Sequence, residues 1–468
     1  RRREALLNAV RNAADHGLPV ERYNPDQLIA VMKEARSPRA HGAVEAELTR
    51  IYLTYARDLQ TGILTPKKID SGLVRDVPLR DRTAYLKAIE SAAAPNRVLR
   101  ALAPTTPEYA RLMKAKLVMT RQGTKGGWGA TVPAASLKPE DRGQSVVALR
   151  NRLMKMGYLQ RSASRVYDEA MSQAVQKFQV AHGLTPDGVA GAGTIAEINK
   201  PLDARLQSVL VAMERERWLN RPEGLGDRHV WVNLTDFTAR IMDNGKLTFE
   251  TRSVIGKNQS GRHSPEFSDI MEHMVINPTW HVPRSIATKE YLPLLKRNPN
   301  AVSHLRLVDS RGRTVNRGAV NFNAYSERSF PFNIKQPPSS RNALGLVKFM
   351  FPNKYNIYLH DTPAKNLFSR EMRAYSHGCI RLAQPFDFAY ELLSKQEADP
   401  VTAFKTHLNT GRETKVLLEK QVPVHIVYRT AFTSADGRLH HRKDIYGRDA
   451  KIWNALRNAG VALPHANG

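Results

Sequence analysis

The chain has a single cysteine, Cys379, with His377 two residues before it and His360 nineteen residues before it. A thiol becomes a strong nucleophile when a neighbouring base or positive charge draws off its proton. On a strand, residues two apart share a face, so a strand through this stretch would set His377 and Cys379 side by side. The run Tyr355-Asn356-Ile357-Tyr358-Leu359 is rich in strand formers and delivers His360 at its end. Gly378 lacks a Cβ, so a substrate carbonyl could come close to the backbone there. The amides of Gly378 and Cys379 would then receive an oxyanion. Residue types alone leave a second reading open, because a lone cysteine is commonly a small buried apolar side chain. One thiolate and two histidines without clustered spacing argue against a structural zinc site.

His360, followed by Ser376-His377-Gly378-Cys379, the apolar Ile380 and Arg381, resembles the signature of the bacterial L,D-transpeptidases with a YkuD-type catalytic domain. The resemblance implies Cys379 as nucleophile and His360 as general base. The backbone carbonyl of Asp361 would orient His360, and His377 with Gly378 would shape the oxyanion site. Substrate contacts are implied for Tyr358, Tyr375, Ser376, Arg381 and Trp280, with Arg381 suited to a carboxylate. No metal and no organic cofactor is implied. In the implied reaction Cys379 attacks the carbonyl between the L-centre of a diaminopimelate-type residue and the terminal D-alanine of a tetrapeptide stem. The side-chain amine of a second stem then takes the thioester, giving a diaminopimelate–diaminopimelate cross-link. Water as acceptor would instead give an L,D-carboxypeptidase, and a lysine of an envelope protein would give covalent anchoring to the wall. The family also implies acylation of Cys379 by carbapenems.

At 468 residues the chain exceeds what one core normally serves, so two to four domains are expected. Lys plus Arg number 71 against 44 for Asp plus Glu, a formal net charge of +27, which points to an acidic partner. No zinc-finger spacing or RNP-like aromatic pattern accompanies that charge, so nucleic acid is not the expected partner. The expected partners are peptidoglycan stem peptides, as donor and acceptor, with other wall-synthesis enzymes or envelope proteins beside them. A non-catalytic wall-binding scaffold is the alternative from another class. No apolar run is long enough to span a membrane. The chain starts at Arg1 inside what reads as a helix, so a signal peptide or inner-membrane anchor is expected upstream, with the protein in the periplasm or cell envelope.

The elements that must position these residues give a multidomain α+β architecture. Residues 1–138 read as a helical scaffold punctuated by Pro78, Pro95, Pro104 and Pro107. It ends in the glycine-rich Gln122–Gly129 loop, which lacks the Gly-Lys-Ser/Thr close of a P-loop and reads as a linker or a docking loop anchored by Trp128. Residues 139–202 carry three short amphipathic helices and resemble the peptidoglycan-binding domain found beside many wall enzymes. Tyr167-Asp168-Glu169 stands where the first Asp-Gly of that module is expected. A linking helix over 203–227 precedes a β-rich, sandwich-like domain at 228–468, opened by a hairpin at Asn244-Gly245. Within it, 280–340 resembles the capping subdomain of larger, YcbB-like family members. Residues 430–468 read as a terminal hairpin and helix.

Overall fold

The computed structural model describes residues 1–463, so the last five positions of the expected 430–468 segment lie outside the described residues. α1 (Arg2–Arg11), α2 (Pro25–Glu34), α3 (Pro38–Thr61), α4 (Arg82–Glu90), α5 (Pro95–Arg100) and α6 (Pro107–Thr124) form a helical layer. Their ends are written in local chemistry. Ser37 caps α3 by accepting the Ala40 N–H, and Pro38 opens the helix where no N–H is needed. Gly62 ends it at φ +93°, where a Cβ would lie 2.5 Å from Glu214 Oε1. Thr106 and Pro107 open α6 in the same manner.

α7 (Gln144–Lys155), α8 (Glu169–Ala181) and α9 (Ala192–Ile198) pack around Val146, Leu149, Phe178 and Ile195 as a second core. Asp168 caps α8 by accepting the Met171 N–H, and Tyr167 donates its hydroxyl to the Gly188 carbonyl. Trp128 of the glycine-rich loop packs against the first core. The Arg152 guanidinium of α7 stands 5.9 Å from its ring, so the loop docks this three-helix unit onto the helical layer.

The stretch expected as a linking helix is more than a link. α10 (Leu202–Trp218) contributes Leu206, Val209, Leu210 and Met213 to the first core, and its Arg215, Glu216 and Arg217 are buried as well. A helix enclosed on all sides is an internal axis rather than a solvated connector.

β1 (Arg228–Asn233), β2 (Thr238–Asp243), β3 (Lys246–Gly256) and β4 (Phe267–Ile276) begin the main sheet. Asn244 and Gly245 turn between β2 and β3 with φ of 49° and 77°. β5 (Trp280–His281), β6 (Arg306–Val308) and β7 (Asn333–Gln336) make a small sheet of their own, in the order β5-β7-β6. With α11 (Arg284–Ile286) and α12 (Leu292–Arg297) they enclose a separate core that includes Leu292, Leu305, Phe322 and Phe330. The main sheet resumes with β8 (Val347–Met350), β9 (Leu359–His360), β10 (Ala374–Ser376) and β11 (Ile380–Leu382). After α13 (Pro385–Leu393) and α14 (Pro400–Asn409) it ends in β12 (Thr414–Val427).

The strand order is β10-β3-β11-β9-β8-β4-β12-β1-β2, and β2 pairs with β3 as well. The long β3 makes this possible: Lys246–Arg252 pairs with β2, while Ser253–Gly256 pairs with β11 and β10. Eight strands therefore close into a ring, and the sandwich-like expectation takes the form of a closed sheet with β10 attached to it. Its core holds Val230, Ile276, Phe349, Leu359, Ile380 and Ile426. The hairpin of β13 (Ala431–Thr433) and β14 (Leu439–His441) and then α15 (Arg448–Asn458) bring the chain back to the helical layer, where Ala431, Ile452 and Leu456 join the first core.

Candidate active site

β8, β9 and β11 lie side by side, and their register decides which side chains meet. Lys348 is paired with His360, and His360 with Arg381, while Leu359 is paired with Ile380. Leu359 and Ile380 enter the sheet core. Alternation then places Lys348, Tyr358, His360 and Arg381 together on the opposite face. Tyr358 and His360 rings are 5.7 Å apart, and the Lys348 ammonium lies 5.7 Å from the Tyr358 ring.

The expected strand through Tyr355–Leu359 is shorter in the structure, where only Leu359 and His360 are strand. Asn356 has φ +54°, and the Asn353 side chain accepts the Tyr355 and Ile357 N–H groups while donating to the Ile357 carbonyl. A side chain that satisfies the local backbone in this way replaces strand pairing. The strand expected through His377 and Cys379 is also absent. β10 stops at Ser376 and β11 starts at Ile380, with Gly378 at φ +123° forming a bend between them. Same-face alternation therefore does not apply to His377 and Cys379.

That bend is held from both sides. Ser376, 2% exposed, accepts the Gly378 N–H at 3.1 Å and donates to the Cys379 carbonyl at 2.5 Å. The Ser264 hydroxyl donates to the Gly378 carbonyl at 2.6 Å and accepts the Gly256 N–H at 2.9 Å. The Gly378 amide, expected as an oxyanion donor, is engaged with Ser376 in this resting loop. His377 points its Nε2 at Glu290 Oε1, 2.8 Å away, and Arg262 reaches the same oxygen at 2.7 Å. Glu290 sits in a π-helical turn (Ala287–Tyr291) of the small subdomain, so this contact ties that subdomain to the cysteine loop.

Cys379 is half-buried, with its Sγ 3.3 Å from the Asn356 carbonyl. Burial pushes its thiol up to about 11, against the opposing pull of the Tyr358 N–H and hydroxyl and of the Arg381 and Lys348 charges. His360 is 4% exposed, and its Nδ1 hydrogen-bonds the Asp361 carbonyl. A carbonyl only accepts, so Nδ1 carries the proton and Nε2 is the free lone pair. Burial, followed by the Arg381 charge, pushes His360 down to about 3. Burial thus favours a neutral thiol and a neutral imidazole at rest.

The Asp361 carboxylate is occupied structurally. It accepts the Leu346 N–H at 2.9 Å and the Thr362 N–H at 2.7 Å, and pairs with Lys365 at 2.6 Å. Gly345 makes room for it, since a Cβ there would stand 2.2 Å from Asp361 Oδ2. Arg381 has no carboxylate partner among the described residues, and its Nε is buried without a hydrogen bond. Tyr375 is engaged by Arg370, which donates to its hydroxyl at 3.0 Å and stacks 5.0 Å from its ring. Trp280 is paired with Gln336 in the small sheet and packs edge-on to Tyr291, the residue after Glu290.

Lys348, Ser264, Gly345 and Glu290 were not singled out from the sequence. Nothing in local spacing marks them, because each reaches the cysteine loop or the Asp361 carboxylate through sheet register or a distant turn. Among the described residues no cluster of three or more His, Cys, Asp or Glu is placed to hold a metal ion.

Comparison with known proteins gives three matches along the chain. Residues 227–403 match the "L,D-transpeptidase catalytic domain" (YkuD) family, residues 142–198 a "Putative peptidoglycan binding domain", and residues 1–115 a "Scaffold domain". A "Putative L,D-transpeptidase" of Haemophilus influenzae is 30% identical over 225 residues, covering 48% of this chain and 45% of that protein. The chain thus matches about half the length of this curated relative. Among solved structures, an L,D-transpeptidase from Xylanimonas cellulosilytica is 16% identical, covering 64% of this chain and 100% of its own, with a TM-score of 0.18. An L,D-transpeptidase from Stackebrandtia nassauensis is 14% identical, covering 63% of this chain and 97% of its own, with a TM-score of 0.23.

Proposed function

We propose that this chain, which carries a YkuD-type L,D-transpeptidase catalytic domain beside a peptidoglycan-binding domain, cross-links peptidoglycan stems through a thioester on Cys379. The observation that carries the reading is the shared sheet face of Tyr358, His360 and Arg381 beside the Cys379 thiol, with the His360 proton pinned on Nδ1 by the Asp361 carbonyl. The other domain matches support peptidoglycan as substrate and an envelope location. Among the described residues no helix is long and apolar enough to cross a membrane.

The chemistry follows from two neutral partners in a site that disfavours either ion alone. As Sγ bonds to the donor carbonyl carbon, its proton passes to His360 Nε2, so thiolate and imidazolium never stand unpaired. The carbonyl oxygen becomes an oxyanion, received by the Cys379 amide and by the nearby Arg381 and Lys348 charges. Collapse breaks the C–N bond, and the imidazolium returns its proton to the departing D-alanine amine. The acceptor amine then attacks the thioester carbonyl, gives its proton to His360, and displaces Sγ, which recovers the proton. Before the attack, Arg381 and Lys348 draw stem carboxylates toward the site. The small 280–340 subdomain, latched through Glu290, caps the acceptor side and excludes water that would otherwise hydrolyse the thioester.

Mass spectrometry of sacculi incubated with the protein tests this reading. Cross-linked dimers with diaminopimelate–diaminopimelate bonds are expected, and Cys379→Ala should remove them. Trimmed tripeptides in their place would identify a carboxypeptidase, and protein–muropeptide adducts an anchoring enzyme, both using the same thioester. Products that persist with Cys379→Ala would end the Cys379 reading, and wall binding without any product from the parent protein would leave a wall-binding scaffold.

A further inference from the structure

A cleft of about 490 Å³ separates the three-helix unit from the closed sheet. One wall is the module turn Gly183–Pro186, and the other is the segment Ser369–Arg373 that runs directly into β10 and the cysteine loop. Glu371 joins the walls by accepting the Thr185 N–H and hydroxyl at 3.2 and 3.3 Å. Four guanidiniums line this cleft, and three of them, Arg252, Arg370 and Arg373, are without an ion-pair partner among the described residues. Arg252 donates to the Phe368 carbonyl, Arg370 to the Tyr375 hydroxyl, and Arg373 to the carbonyls of Ser253, Arg370 and Phe237. The nearby acids are already taken. Asp236 is shared by Arg240 at 2.9 Å and Arg442 at 2.6 Å, and Glu371 is held by Thr185, with Lys443 at 4.0 Å. Burial, followed by the Arg252 charge, lowers Arg373 to about 10, with Asp236 pulling the other way. Arg252, Arg370, Arg373, Arg442 and Lys443 outnumber Asp236 and Glu371 in the lining, and an excess of like charge in a concave site is relieved by a bound anion.

We propose that this cleft is a second anion site, which holds a carboxylate of a neighbouring stem peptide at Arg252, Arg370 and Arg373 while another stem is processed at Cys379. The inference rests on the wall-transpeptidase reading for the identity of the anion, though not for the existence of the site. Planar guanidiniums suit a carboxylate through paired N–H donors. Location adds a purpose. The module wall keeps the strand close, and Arg370 stacks on Tyr375 next to Ser376, so an occupant lies along the chain segment that leads to the nucleophile.

The test uses the full chain with Cys379→Ala, so that nothing is turned over, and native sacculi beside sacculi whose stem carboxylates have been converted to amides. Arg252→Gln with Arg370→Gln should lower co-sedimentation with native sacculi by about tenfold, since charge-assisted contacts of this kind are each worth a few-fold or more. On amidated sacculi the same pair should change nothing. Arg373 is left intact because its three carbonyl contacts brace the fold, and exposed Arg370→Gln alone serves should the double variant show a lowered melting midpoint. Unchanged retention on native sacculi, or an equal drop on amidated sacculi, overturns the carboxylate site. Acylation of Cys379 by a carbapenem, followed by mass in the otherwise unaltered enzyme bearing the two glutamines, should match the parent. Loss of that acylation in the parent itself would instead count against the transpeptidase reading and leave the retention result to stand by itself.

Discussion

Cys379 and His360 have been moved in opposite directions by the same cause. Burial penalises the charged form of each, raising the thiol to about 11 and lowering the imidazole to about 3. An ion pair poised in the resting site would do the reverse, holding the thiol below its ordinary value of about 8.5 and favouring thiolate at neutral pH. The prediction belongs to these two side chains. In the unliganded protein, the rate of Cys379 alkylation by iodoacetamide should still be climbing above about pH 8.5, with no inflection near the ordinary histidine range. A midpoint below that value, abolished by His360→Ala, would show a preformed pair and overturn the neutral resting state. In the proposed reaction, proton transfer accompanies carbon–sulfur bond formation, and a resting thiol is less open to oxidation than a thiolate.

At the scale of elements, the cysteine loop is a bend hung between two strands, and its shape depends on hydroxyls from elsewhere. Ser376 braces it from within, and Ser264, in the turn between β3 and β4, ties the Gly378 carbonyl to the Gly256 amide. Tyr446, just before α15, continues the same tie by donating to the Gly256 carbonyl. Ser264→Ala would leave a buried carbonyl and a buried N–H without their shared partner, a loss of about 1–3 kcal/mol for each group left unpaired. The expected result is a lower melting midpoint together with a fall in kcat on sacculi, since a misplacement near 1 Å at the nucleophile costs about a hundredfold. Ser264→Thr, which keeps the hydroxyl, should recover part of both. A variant with reduced stability and unaltered kcat would mean that the loop keeps its shape without Ser264.

For the whole molecule, several of the arginines are internal and paired with acids. Arg215 bonds Glu266 at 3.1 Å and also pairs with Asp449. Arg429 pairs with Glu216 at 2.7 Å, and Arg448 lies 3.5 Å from Glu266. These side chains join α10, the turn before β4 and α15, so the helical layer and the closed sheet share one buried charge network. Each such pair cancels one charge of each sign, so the formal +27 is left to the rest of the molecule, and what a partner meets depends on where unpaired cations gather, as in the module cleft. Acid should expose another whole-molecule property. His360 and His425 are both buried and both lowered to about 3, so between pH 6.5 and about 3 the unfolded chain binds protons that the folded chain refuses. Stability from these groups is present above their unfolded value and falls as pH falls, by about 1.4 kcal/mol per pH unit for each. Thermal melts from pH 7 to pH 4 should show a steadily falling midpoint, and His425→Gln should make the decline shallower. A flat profile would contradict the burial of both rings in the neutral form.

Residue identity and order determined a good deal. The short Ser376–Arg381 motif, the Asn244-Gly245 hairpin and the three-helix unit were all legible, because each is written in contacts between near neighbours. The Asp361 carbonyl contact to His360 was expected from the family resemblance alone, and the structure has it. Tertiary structure decided what lies between distant segments. It set the register that brings Lys348 against His360, the closure of the ring through β3, the burial of α10, and the turn of His377 toward Glu290 instead of along a strand with Cys379. Local pattern gives the period of a strand but not its partner. Pairing depends on which apolar faces can be buried together, and that is settled only when the whole chain has closed on itself.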